Sequence, residues 1–158
     1  SGDDGITFDM MTDADIAAAG VISVVTNIAP KAVVDMVDLL NQGDIAGARK
    51  LKEALAPLFG LVTVSTKEKT PHGEVVCRAR NPLAIKTLMT LLGMPSGGCR
   101  QPLGKMSKNG LNVVREVARK IQINNPEILA PVADFFNIDI DERLGGDEYL
   151  DGLSYDSY

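Results

Sequence analysis

A chain of 158 residues, 45% of them hydrophobic, is long enough for one domain with its own core and too apolar to be disordered throughout. Its net charge of −5 resides mostly in residues 139–158, where Asp139, Asp141, Glu142, Asp147, Glu148, Asp151 and Asp156 face Arg143 alone; the rest is near neutral, which excludes the clustered Lys and Arg of a nucleic-acid surface. No apolar run reaches the roughly 18 residues of a membrane span, no secretory leader is recognisable, and Cys77 and Cys99 form neither a metal motif nor a disulfide framework, so both are expected reduced in a cytoplasmic protein.

The chain opens on Ser1-Gly2-Asp3-Asp4, a tight polar turn with no initiator Met, as if cut from the middle of a larger protein. Asp3 and Asp4 are expected to cap a helix, since adjacent carboxylates in a turn do so more often than they catalyse or bind metal. Thr12 then reads as the cap of a short Ala-rich helix over 13–19, stopped by Gly20.

Gly20–Asn27 is the most β-like run: Val21, Ile22, Val24 and Val25 are β-branched, and Asn27 and Pro30 close it. Apolar residues on both faces predict a strand buried on both sides, as in a parallel sheet covered by helices. Pro30 suits the first turn of a helix carrying Val33, Val34, Val37 and Leu40, ended by Gly43. Asp44 caps the next helix, whose apolar face is Ile45, Ala48, Leu51, Leu55, Leu58 and Phe59 and which Pro57 should end or bend.

Residues 61–66 have strand propensity, and 67–74 are polar with a turn at Pro71-His72-Gly73. Asn81-Pro82 has the form of a cap followed by proline, and leads Leu83, Ile85, Leu88, Met89 and Leu92 into a helix ending at Gly93. Residues 94–104, with Pro95, Gly97, Gly98 and Pro102, must be a loop. Ser107 caps an amphipathic helix with Leu111, Val114, Val117, Ala118 and Ile121 on one face and Arg115, Arg119 and Lys120 on the other. Asn125-Pro126 starts a last helix to Phe136 that Pro131 should kink, and the acidic residues beyond are expected to be a solvated terminus. The count is one or two short strands against six or seven helices.

Motif chemistry is sparse. His72 is the only histidine and sits in a polar turn, which argues against a zinc site or a Ser-His-Asp triad. Gly104-Lys105 is followed by Met106, so no phosphate loop is present. Lys105-Met106-Ser107-Lys108 looks like the ATP-holding loop of one class of aminoacyl-tRNA synthetases, but the His-containing partner motif and nucleotide fold before it are missing.

Four ordered blocks carry a resemblance: Ser1-Gly2-Asp3-Asp4; Gly20-Val21-Ile22-Ser23-Val24 with Asn27; Asn81-Pro82 with Lys86 downstream; and, more weakly, Arg100-Gln101-Pro102-Leu103. Together they resemble the C-terminal part of the dihydrodipicolinate synthase family of pyruvate-dependent class I aldolases, which includes N-acetylneuraminate lyase. The resemblance covers about residues 1–121. It implies an α/β fold, mostly α by content: residues 1–43 as the end of a (β/α)8 TIM barrel (the exit of strand 7, then strand 8 at Gly20–Val25), 44–138 as a helical C-terminal domain, and 139–158 as an acidic tail.

The implied activity is condensation of pyruvate with L-aspartate 4-semialdehyde in lysine biosynthesis, through a Schiff base on a lysine in strand 6, outside this chain. Gly2 and Asp3 would lie beside the substrate, Ile22 against pyruvate, and Asn81 near the semialdehyde end. The proton-relay tyrosine and threonine also lie upstream, since Tyr149, Tyr155 and Tyr158 fall in the acidic tail. No catalytic residue, cofactor or metal is expected in this chain. The implied partners are the N-terminal half of the enzyme and further copies of itself, a tetramer in the family, and two of eight barrel strands alone should leave a sticky open edge. Residues 61–80 are longer than the family's connection, which weakens the placement of Asn81. The alternatives are a non-catalytic helical assembly module and a lyase acting on another aldehyde, as N-acetylneuraminate lyase does.

Overall fold

The computed structural model describes residues 1–156; Tyr158, assigned above to the tail, lies outside them. Among these residues are seven α-helices and one β-hairpin: α1 (Thr7–Thr12), α2 (Pro30–Asn41), α3 (Ile45–Phe59), β1 (Thr63–Thr70), β2 (Gly73–Arg80), α4 (Leu83–Leu91), α5 (Lys108–Asn124), α6 (Ala130–Phe136) and α7 (Ile140–Gly145). The fold is therefore α/β and largely helical, with two strands paired antiparallel from Thr63↔Arg80 to Thr70↔Gly73.

The core lies where α2, α3, α4 and α5 meet. Ala48, Leu55, Leu58, Leu88, Leu91, Val114 and Ala118 are fully buried there. Their recurrence three and four apart is what makes each helix amphipathic and stacks the faces. Helix α2 turns slightly from its expected face: Ala32, Val33 and Met36 are buried, while Val34 is 52% exposed. Asp44 caps α3 by accepting from Gly47 N–H at 2.9 Å, and Ser107 caps α5 by accepting from Gly110 N–H at 3.0 Å, both as expected. Helix α3 runs two residues past Pro57 before ending. Gly43 and Gly93 follow α2 and α4 with φ of +81° and +76°, where a side chain would be strained.

Several elements differ from expectation. The first helix lies before Thr12, whose hydroxyl donates back to the Phe8 carbonyl at 2.9 Å and closes α1. Asp13 instead holds a non-helical turn, accepting from Asp15 N–H at 2.8 Å. Gly20–Val25 is not a doubly buried strand: Ile22 is 86% exposed, Val24 already has helical backbone angles, and Val25–Asn27 closes into a 3-10 turn. A strand of a parallel sheet takes its hydrogen bonds from neighbours, and only Ser1 runs alongside here. Pro82, not Asn81, is the N-cap residue of α4, and no side chain caps it. The expected kinked helix after Asn125 is two pieces, a 3-10 turn at Pro126–Ile128 and α6, with Pro131 in the first turn of α6 where its missing N–H costs nothing.

The acidic stretch is folded onto the domain. Ile140 and Leu144 of α7 are 4% and 2% exposed, and Tyr149, Leu150 and Leu153 pack against the core. Arg115, expected on the solvent face of α5, is buried and donates to Leu144 O at 2.6 Å, Gly145 O at 2.5 Å and Asp147 Oδ1 at 2.8 Å. A guanidinium presents several N–H donors in one plane, which suits the free carbonyls at a helix C-terminus. Arg143 of α7 does the same for α4, donating to Leu91 O at 2.7 Å and Thr90 O at 2.9 Å. Beyond α7, Met106 N–H donates to Leu153 O and Tyr155 N–H to Met106 O, which straps 153–155 along the loop before α5.

Candidate functional site

The N-terminal turn and the extended run from Gly20 form one constellation. The Ser1 amine donates to Gly20 O at 2.7 Å, and Ile22 N–H donates to Ser1 O at 2.9 Å. Two bonds straddling Val21 in this way are the repeat of a parallel ladder. Asp4 then clamps the end of the run. The residue is 5% exposed; its Oδ1 accepts from the Ser23 hydroxyl, and Oδ2 from Val24 N–H at 2.9 Å and Val25 N–H at 3.3 Å. Those amides open the 3-10 turn, so Asp4 caps a helical turn twenty residues downstream rather than the helix that follows it. Ser23 is fixed from the other side, its Oγ accepting from Thr26 N–H at 3.0 Å.

Three of the four sequence-derived site residues are neighbours here. Gly2 and Asp3 are exposed beside Ser1, and Ile22 projects outward while Val21 and Val24 pack against the core. The Asp3 carboxylate accepts from Gly5 N–H at 2.8 Å, and the Asp3 carbonyl accepts from the Thr7 hydroxyl at 2.7 Å, so the turn is rigidly held. Among the described residues Asn81 makes no hydrogen bond to this group. It is exposed at the joint between β2 and α4, and the hairpin separates it in sequence from α3. The sequence reading missed Asp4 as the organising residue; its signal was the Ser23 hydroxyl and the 3-10 turn, which no local spacing connects to position 4.

A concavity of about 680 Å³ lies elsewhere, between α4, the 94–105 loop and residues 152–155, lined by Lys86, Thr90, Ser96, Cys99, Lys105 and Tyr155 among others. Lys86 Nζ donates to Gly98 O at 3.1 Å and Ser96 Oγ to Lys86 O at 2.9 Å, which folds the loop back on α4. The Gln101 amide donates to the Tyr155 hydroxyl at 3.3 Å and, with a backbone bond from Lys105, holds the Tyr155 phenol below its ordinary pKa. Tyr149 is shifted the opposite way, upward, by its hydrogen bond to the Glu142 carboxylate. Among the described residues no group of three or more His, Cys, Asp and Glu side chains could hold a metal ion, and no helix is long and apolar enough to cross a membrane.

With that geometry in place, comparison with known proteins is decisive for the family. A profile of the Dihydrodipicolinate synthetase family matches residues 1–121. The chain belongs to this family. A 4-hydroxy-tetrahydrodipicolinate synthase of Methanothrix thermoacetophila is 36% identical over 121 residues, which cover 77% of this chain and 35% of that protein. The crystal structure of dihydrodipicolinate synthase from Aquifex aeolicus superposes with a TM-score of 0.61 at 32% identity, covering 82% of this chain and 36% of that one. The 4-hydroxy-tetrahydrodipicolinate synthase of Methylacidiphilum fumariolicum gives 0.62 at 27% identity, over 85% and 38%. The chain thus spans about a third of the length of the family members it matches. The match ends at Ile121, so α6, α7 and the strap lie beyond it.

Proposed function

We propose that this chain is the C-terminal part of a pyruvate-dependent aldolase that condenses pyruvate with L-aspartate 4-semialdehyde. In this reading residues 1–43 end a (β/α)8 barrel and 44–138 form the helical extension. Ser1–Asp4 is the exit of strand 7, Gly20–Val25 is strand 8, and Gly2, Asp3 and Ile22 line the substrate end with Asn81 approaching from the extension. The observation that carries it is the parallel pairing of Ser1 with Gly20–Ile22, held by Asp4 at the C-terminal end of the run, where barrel enzymes place their chemistry. Ile22, 86% exposed at that end, is free to face a substrate.

The chemistry needs a lysine amine that is neutral at working pH, which takes a desolvated site or a nearby positive charge. None of the nine lysines is buried; Lys52 and Lys86 are half-buried and the others exposed. Lys52 Nζ is paired with Asp9 Oδ1 at 2.8 Å. In this reading the nucleophile lies upstream of Ser1, and this chain supplies pocket wall and scaffold. The test is to incubate the 158-residue chain and the full-length protein with pyruvate and borohydride and weigh both. Stoichiometric labelling of the full-length protein alone, on a lysine before Ser1, is the expected result. Labelling of a lysine within the 158 residues would overturn the reading. A gene with no strand-end lysine upstream would favour the second reading, a helical assembly module, which the continuous core of α2–α5 makes possible.

A further inference from the structure

The hairpin carries a free sheet edge. Strand β2 spans Gly73–Arg80, pairs only with β1 among the described strands, and has no proline or bulge within its eight-residue register. Residues directly opposite share a face. Val75, Cys77 and Ala79 therefore lie with Glu68, Thr66 and Val64 on the face packed toward α5, where Glu68 and Val64 are buried. Glu74, Val76 and Arg78 lie on the outer face, opposite Lys69, Lys67 and Ser65. Val76 is 60% exposed there, and Val75 is 41% exposed near the tip on the inner face. Charges on an edge usually keep other strands away. Here Glu74, ion-paired within the hairpin with Lys67 at 2.9 Å, and Arg78 flank a valine with opposite signs, a pattern complementary to its own reverse.

We infer that β2 pairs antiparallel with β2 of a second copy of this chain, about a two-fold axis through Val76, to make a continuous four-stranded sheet. In that register Val76 meets Val76, and Glu74 of each copy meets Arg78 of the other. On the inner face Val75 of each copy meets Cys77 of the other, which covers the apolar surface left at the hairpin tip. Shifting the two-fold to Cys77 would set Val76 against Arg78 and lose the apolar contact. A closed two-fold also uses up the β2 edge, so pairing through β2 stops at two copies. An eight-residue edge buries less than the roughly 800 Å² per partner of a stable interface, so a dissociation constant on the order of 10 µM is expected for this contact alone.

The experiment uses the 158-residue chain in sedimentation velocity across concentrations bracketing that value, with circular dichroism to establish that each variant is folded. Val76→Asp should weaken dimerisation by about a hundredfold, since two carboxylates would meet on the axis. Glu74→Arg and Arg78→Glu should each weaken it about tenfold, and the double reversal should restore it to within about threefold, because each reversal acts twice across the two-fold. In a second arm Cys77 and Cys99 are changed to Ser. Val76→Cys should then cross-link in glutathione buffer, its Cα atoms lying about 5 Å apart, whereas Glu74→Cys, four residues out of step with its own copy, should not. A chain that stays monomeric throughout, a dimer indifferent to Val76→Asp, or equal cross-linking from positions 74 and 76 would each overturn the inference.

Discussion

Removing the Asp4 carboxylate tests whether the strand-end constellation is held from position 4. Asp4→Ala strands three donors at once: the Ser23 hydroxyl, Val24 N–H and Val25 N–H. A hydrogen bond to a charged group contributes about 1.5–3 kcal/mol, but the three share one carboxylate and do not add. The substitution also removes a charge that was costly to bury, which returns part of the loss. The net cost expected is about 3 kcal/mol. Asp4→Asn keeps one oxygen for the two amides and turns its NH2 toward Ser23 Oγ, so it should cost nearer 1 kcal/mol. With a urea dependence of about 2 kcal/mol per molar, the alanine variant should unfold about 1.5 M earlier by far-ultraviolet circular dichroism. A loss under about 0.5 kcal/mol, within the range of an ordinary surface substitution, would refute the clamp. Asn costing as much as Ala would refute the donor-by-donor account and put the weight on charge.

Other outcomes follow from the same geometry. Arg115→Met should cost about 2 kcal/mol and open residues 144–150 to proteolysis, because it leaves the Gly145 carbonyl without its donor and Leu144 O with Arg119 Nε alone, at 3.1 Å; the Asp147 pair contributes little, as that carboxylate is 88% exposed. Ser107→Ala should cost about 1 kcal/mol, measured by urea unfolding, as a lost N-cap. In an alkaline absorbance titration, Tyr155→Phe should delete a phenol that ionises early and Tyr149→Phe one that ionises late. The signs are opposite for stability: the Tyr149 contribution is present below the ordinary phenol pKa and is lost as pH rises through its raised value, whereas that of Tyr155 is gained as pH rises through its lowered value. In the full-length protein, Ile22→Asp should raise KM for pyruvate sharply by bringing a carboxylate to an anionic substrate; an unchanged KM would remove Ile22 from the pocket.

Features that depend on near neighbours in sequence were legible. Asp44 and Ser107 cap where their spacing says, Gly43 and Gly93 follow helices with positive φ, and residues 94–104 form the expected loop. Features that depend on distant partners were not. The polarity of 67–74 concealed a full hairpin, because an antiparallel ladder is satisfied by backbone bonds, and only Val64 and Glu68 of β1 are buried. Arg115 reads as a surface residue by type, and only the arrival of the α7 carbonyls makes its burial affordable in hydrogen bonds. The acidic composition of 139–158 likewise hid Ile140, Leu144, Leu150 and Leu153, which are spaced for contact with a core that composition alone does not locate.

The candidate site shows the same division and sharpens what a strand prediction means. Val21, Val24 and Val25 do pack inward as a β-branched run should, and Ile22 alone turns out. The expected burial on both faces fails on the side where further strands and helices would have to stand, not on the side this chain itself covers. Ser1 holds the Gly20 end of the run and Asp4 ends it in a 3-10 turn at the other, so its shape is set without those neighbours. A segment whose conformation is fixed locally, and whose exposed residue is an isoleucine, is pre-organised for something to be laid against it. In the proposed reading that something is the rest of the barrel and pyruvate, and Ile22 is this chain's apolar contribution to the pocket wall.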